Sequence, residues 1–165
     1  MIRLANKEDL PRIMEIVKAS VKVMNEQGNE QWNEDYPLES DFKGDLENQE
    51  LYVAEIGGTV TGAACISEKE HSEYPLISWR KNDKALTVKR VAVDPSNRGS
   101  GIASGLYKHA EQVGREKGLH YLKTDTFSKN QSAQRLFRKN GYQFVQARRV
   151  EEKDDELWYF DKLID

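Results

Sequence analysis

The 165-residue chain holds a single cysteine, Cys65, which excludes an internal disulfide and any cysteine-rich zinc site. Its three histidines, His71, His109 and His120, show no metal-ligand spacing, so no metal is expected. Prolines number four, and no Pro- or Ser-rich linker divides the chain. No run approaches the ~20 apolar residues that span a membrane, and MIRLANKEDL lacks a signal peptide's apolar core. Neither charge sign dominates. Lys+Arg number 25 against Asp+Glu 28, a net charge of −3, which gives little support to nucleic-acid binding. These absences lead us to expect a cytoplasmic globular protein with neither a membrane nor a nucleic-acid partner.

What remains is enough for one domain over residues 1–165. A chain this long buries about 70% of its extended surface on folding and needs no metal or disulfide staple. IRLA reads as a short strand. Leu10, Ile13, Met14, Val17, Val21 and Met24 then recur at helical spacing, with Asn6 and Asp9 as caps and Pro11 near the first turn. The polar stretch Asn25–Pro37 reads as a loop, and a shorter helix follows to about Asn48. ELYVAEI and TVTGAACIS form a hairpin across Gly57-Gly58. A charged connection from Glu68 to Lys84 leads to the β-branched run ALTVKRVAV. A helix with Ile102, Leu106, Ala110 and Val113 on one face closes at Gly118, and HYLKTDTF is the next strand. The last helix runs from the cap Asn130 to Gly141; YQFVQARRV and ELWYFDKLI are the closing strands. The order β-α-α-β-β-β-α-β-α-β-β, with its hairpins, predicts a mixed α/β (α+β) fold. Its central twisted sheet should be mostly antiparallel, of about six to seven strands, with helices on both faces.

The segment VAVDPSNRGSGIASGL turns from strand through a Gly-rich loop directly into a long helix. Such a loop lets backbone N–H groups converge, and the helix N-terminus adds positive potential, so the place suits a phosphate or pyrophosphate. Arg98 supplies a guanidinium at its edge. A Gly-rich turn that only caps a helix would use the same residues. The Walker A spacing is absent. The dinucleotide pattern fails too, because Ser104 stands where the third glycine belongs and Gly105 comes one place late.

These residues resemble the GNAT superfamily of acyl-CoA-dependent N-acetyltransferases. Arg98, Gly101 and Ala103 match its phosphate signature Q/R-x-x-G-x-G/A. Asn130, Ala133, Leu136, Phe137, Gly141 and Tyr142 match a second, N-x-x-A-x-x-L-Y/F-x-x-x-G-F/Y. The resemblance implies acetyl-CoA as co-substrate, with the amides of Arg98, Gly99, Ser100, Gly101, Ile102, Ala103 and Ser104 around its pyrophosphate. The strand before the loop would splay from its neighbour, and the backbone of Val91, Ala92 and Val93 would pair with the pantetheine arm. Asn130 would bond that arm from the other side, with Ala133 and Phe137 lining the thioester.

The implied reaction is direct attack of a neutral amine on the thioester, which calls for a base and an acid. The chain departs from the family at both. Phe137 stands where a tyrosine acid is common, and ALTVKRVAV carries no carboxylate. Asp125 is the candidate base and Tyr142 or Tyr107 the candidate acid, with water in either role or unaided departure of the thiolate as alternatives; an exposed or salt-bridged aspartate is the plainer account of Asp125. Trp32, Tyr36 and Trp79, with nearby carboxylates, suit a cationic amine of a small molecule or peptide, or else tuck loops onto the body. A transferase for longer acyl-CoA and a non-catalytic acyl-CoA sensor are the alternative readings, and the oligomeric state, with a homodimer among the options, stays open. The charge is also segregated. Residues 26–50 hold one Lys and nine acids, whereas residues 84–139 hold twelve Lys+Arg and four acids.

Overall fold

The computed structural model describes residues 1–165. Seven strands and four helices appear in the expected order. The first part holds β1 (Ile2–Leu4), α1 (Leu10–Glu26), α2 (Glu39–Glu47), β2 (Leu51–Ile56), β3 (Thr59–Ser67) and β4 (Leu86–Val93). Then come α3 (Ile102–Lys117), β5 (Tyr121–Phe127), α4 (Gln131–Lys139), β6 (Gln143–Val150) and β7 (Asp155–Leu163). One sheet runs β1-β2-β3-β4-β5-β7-β6. Pairing is antiparallel for β1 with β2, β2 with β3, β5 with β7 and β6 with β7, and parallel for β4 with β5. The chain clusters into two compact units: Met1–Ile66 with Arg90–Leu106, and Ser67–Lys89 with Tyr107–Asp165.

In the first unit, α1 buries Leu10, Ile13, Ile16 and Val17 in one cluster with Trp32, Phe42, Val53, Val60 and Ala92. Ile16 lies outside the predicted stripe, and Met14, Val21 and Met24 sit only at its margin. The apolar face is centred differently because a globular helix buries an arc wider than its strictest repeat. A second cluster joins Ala54 and Ala64 to Ile102 and Leu106, with Val91 and Val93 against it. Successive residues of β4 thus serve opposite faces, Val91 and Val93 one cluster and Ala92 the other. Gly62 of β3 permits the close approach: a Cβ there would lie 2.8 Å from Ile102 Cγ2 and 3.1 Å from the Ala92 carbonyl oxygen.

In the second unit, β5 pairs with β7 from Tyr121↔Leu163 to Phe127↔Leu157. The parallel ladder between β4 and β5 joins Leu86↔Leu122 and Thr87↔Lys123. Immediately beyond it the Thr124 side chain, through Oγ1 at 3.0 Å, donates to the Val88 carbonyl. α4 starts where the sequence places it, with Asn130 Oδ1 accepting from the Ala133 amide at 3.1 Å. Its buried Phe137 meets Tyr107 and Phe160 edge to face, at 5.4 and 5.1 Å between ring centres.

Candidate active site

The Gly-rich loop sits between β4 and α3 in the first unit. Asp94 builds its approach: its carboxylate accepts from the Ser96 amide at 3.0 Å, the Ser96 hydroxyl at 2.8 Å and Arg12 Nη2 at 2.5 Å. The Ser96 bonds first, then Arg12, hold Asp94 below the usual carboxylate range. Arg98, Gly99, Ser100 and Gly101 are exposed, Ala103 and Ser104 half-buried, and Ile102 anchors the helix start in the core. Gly99 and Gly101 adopt φ of +81° and +77°, with open space where a Cβ would stand. They are therefore required by backbone conformation and not by crowding. The bond from the Gly105 amide to the Gly101 carbonyl, 2.9 Å, marks the first turn of α3. The Arg98 and Ser100 amides donate to the Pro95 and Asn97 carbonyls at 3.4 and 3.3 Å, and the loop they shape lies at the positive end of a 16-residue helix. An anion fits this chemistry. The strand leading in offers the backbone of Val91 to Val93, although the Val93 carbonyl already accepts from Ser20 Oγ at 3.2 Å.

Two aromatics expected to meet an acceptor lie in this same unit. Trp32 is buried in the α1 cluster, and Tyr36 packs at the edge of that cluster. The Tyr36 hydroxyl accepts from Arg90 Nη1 at 3.1 Å. Arg90 adopts φ +51° inside β4 and reaches both carboxylate oxygens of Asp45, through Nε at 2.6 Å and through Nη2. Burial works against the Arg90 charge, but the bonds to Asp45 and Tyr36 outweigh it and raise the guanidinium above its ordinary value. Part of the acidic segment thus serves the protein's own arginine, a use that no local pattern in the sequence signals.

The remaining candidates lie in the second unit. Asn130 spends its side-chain oxygen on the α4 cap, so its amide nitrogen is the group left to donate. Ala133 is half-buried, whereas Phe137 is interior. The Tyr142 hydroxyl is buried without a hydrogen-bond partner, and burial raises its pKa well above the ordinary value. Tyr107 is also buried, its hydroxyl 3.4 Å from Thr124 Oγ1, and burial pushes it up too. Both hold their protons tightly. No group of three or more His, Cys, Asp or Glu is placed to hold a metal ion, and no helix is long and apolar enough to cross a membrane.

Asp125 is neither fully exposed nor salt-bridged. It is half-buried, and its Oδ2 accepts from the hydroxyl of fully buried Tyr74 at 2.6 Å. Burial raises its pKa, against the nearby His71 charge and the Tyr74 bond, which lower it. Tyr74 belongs to an aromatic group with Trp79 and Tyr159, at centroid distances of 4.9 and 5.7 Å. Trp79 donates its indole N–H to the Tyr74 carbonyl at 2.8 Å, and Lys123 Nζ stands 4.6 Å from its ring centre. One cation–π position on Trp79 is therefore filled from within the chain. Sequence reasoning missed Glu73, Tyr74, Arg148 and Tyr159. The only local signal was an aromatic inside a charged connection.

The profile of the Acetyltransferase (GNAT) family matches residues 14–142. Streptothricin acetyltransferase from Streptomyces lavendulae is 30% identical over 71 residues, 43% of this chain and 38% of that protein. The match thus spans about two fifths of that relative's length. Among solved structures, a GNAT-family acetyltransferase from Streptococcus agalactiae superposes with a TM-score of 0.88 at 24% identity, covering 100% of this chain and 95% of that one. The structure of yncA from Salmonella typhimurium with its cofactor acetyl-CoA gives 0.74 at 20% identity, over 100% and 94% of the two chains. At those identities the likeness carries the fold.

Proposed function

The chain belongs to the GNAT family of acetyltransferases, and from that premise we propose that it transfers acetyl from acetyl-CoA to a primary amine of a small molecule or peptide. The observation that carries this reading is the exposed loop of Arg98 to Gly101, with two left-handed glycines opening onto the N-terminus of α3. The positive N-terminus of α3 and the Arg98 guanidinium suit a pyrophosphate. The use of acetyl-CoA by a fold neighbour supports the same assignment. When bound, the thioester supplies an activated acetyl carbon.

The reaction needs no covalent enzyme intermediate. The neutral amine forms the C–N bond, the C–S bond breaks, and one proton moves from nitrogen to bulk or base while the thiolate gains one. Asp125 is our candidate for holding the incoming ammonium and accepting that proton, its raised pKa bringing it closer to the task. No tyrosine stands at the usual acid position, Phe137, so the thiolate takes its proton from water in this reading.

Thiol release measured with acetyl-CoA and a panel of amines tests the activity. Release above hydrolysis is expected with at least one amine, and none with any would sink the catalytic reading. Gly101→Glu should abolish acetyl-CoA binding, because it adds negative charge and a strained φ at the pyrophosphate position. Gly101→Ala carries the strain alone and should bind better than the glutamate variant. Unchanged affinity in Gly101→Glu overturns the phosphate-loop assignment.

A further inference from the structure

Several buried and half-buried charges in this protein are paired: Arg3 with Asp9 and Glu55, Arg12 with Asp94, Arg80 with Asp161, Arg90 with Asp45. Others, such as Asp155, are held by hydroxyl and amide donors instead. The second unit gathers three charges of this second kind, of both signs. Glu73, Asp125 and Arg148 are each half-buried, and their hydrogen bonds go to two fully buried tyrosines instead of to one another. Tyr74 donates to Asp125 at 2.6 Å; Tyr159 donates to Glu73 Oε2 at 3.1 Å and accepts from Arg148 Nε at 3.1 Å. The two rings stand edge to face, 5.7 Å between centres, so one rigid aromatic floor fixes all three charged groups.

A carboxylate held by one hydroxyl keeps acceptor capacity, and a guanidinium bonded through Nε alone keeps both terminal nitrogens as donors. Removing such groups from water is costly, and the His71 charge near Asp125 offsets only part of that cost. The two signs also select among ligands. A simple polyamine would satisfy the acids and leave Arg148 unmatched; a simple carboxylic acid would do the reverse.

We propose that this cluster is the acceptor site and that the acceptor is a zwitterionic α-amino acid, its ammonium taken by Asp125 and Glu73 and its carboxylate by Arg148. The assignment rests on the acetyl-CoA-dependent reading above, and it narrows that reading from amines in general to amines that carry an adjacent carboxylate. The planar fork of Arg148 suits two carboxylate oxygens, and the acids on the same floor orient the nitrogen.

The test compares free L-amino acids with their carboxamides and decarboxylated amines as acceptors, using purified full-length protein and acetyl-CoA. Acetyl-CoA binding is measured separately by calorimetry. Wild type should favour the acids in kcat/KM by tenfold or more. Arg148→Gln should remove that preference by raising KM for the acids, while the carboxamides and acetyl-CoA affinity stay within twofold. Asp125→Asn should weaken both acceptor types. Arg148→Lys, which keeps the charge and loses the fork, should fall between, and thermal melts show whether each variant is folded. Equal or better use of the decarboxylated amines, or an equal loss for all acceptors in Arg148→Gln, overturns the proposal. Acetyl-CoA binding without turnover of any amino acid also overturns it and leaves the cofactor reading standing. Failure of acetyl-CoA to bind sinks the reading beneath.

Discussion

The two ends of the Asn130 side chain can serve different duties. Its oxygen caps α4 by accepting from the Ala133 amide, and its nitrogen would be the donor to the cofactor arm in the function proposed above. Asn130→Ala removes both and should cost about 1 kcal/mol of stability in denaturant titration. Asn130→Asp retains a good cap and loses the donor, so it should keep most of the stability while raising the KM for acetyl-CoA severalfold. Equal KM in Asn130→Asp and wild type would confine this residue to capping. The cap was legible because Asn before a helical repeat is a local signal. The bond from Tyr74 to Asp125 was not, since it joins residues 51 apart and no periodicity encodes the pairing. Tyr36 illustrates the same limit: its place among acids suggested a cation, and the cation it meets is Arg90, 54 residues on.

At the scale of elements, the sequence was far more transparent. Gly57-Gly58 marked the β2–β3 hairpin, Asn130 and Gly141 bracketed α4, and helical spacing picked the buried face of α3, Ile102, Leu106, Ala110 and Val113. Which strands become neighbours was less so. β7 lies between β5 and β6, a consequence of long-range pairing, not of any local pattern. Gly62 shows what holds such elements together near the loop. A Cβ there would press on Ile102, the first residue of α3, and on the Ala92 carbonyl, and backbone yields little. Gly62→Ala should therefore destabilise the protein by about 1–3 kcal/mol. It should also weaken acetyl-CoA binding, because Ile102 anchors the helix end that presents the loop amides. Calorimetry on the variant at a temperature where it stays folded separates the two effects; unchanged stability would mean the β3 backbone gives way freely.

For the whole molecule, the net charge of −3 hides a division of labour among its charges. Some of the segregated charge is consumed internally. Asp45 holds Arg90, Asp41 accepts from the Leu38 amide, and Glu68 bridges Lys84 and Lys117. Other cations, Arg98 among them, remain exposed on the basic stretch that carries both motifs proposed to meet the cofactor. A highly charged phosphate ligand approaching such a surface is drawn by several charges at once, and that attraction is screened over about 10 Å at 0.1 M salt. The Kd for acetyl-CoA should therefore weaken several-fold between about 50 and 500 mM KCl. Arg98→Gln should bind more weakly at low salt and show a shallower dependence, since one of the screened charges is gone. A flat salt profile in wild type, or a slope unchanged in Arg98→Gln, would mean that backbone amides alone hold the phosphates. The exposed basic stretch would then be an ordinary solvated surface.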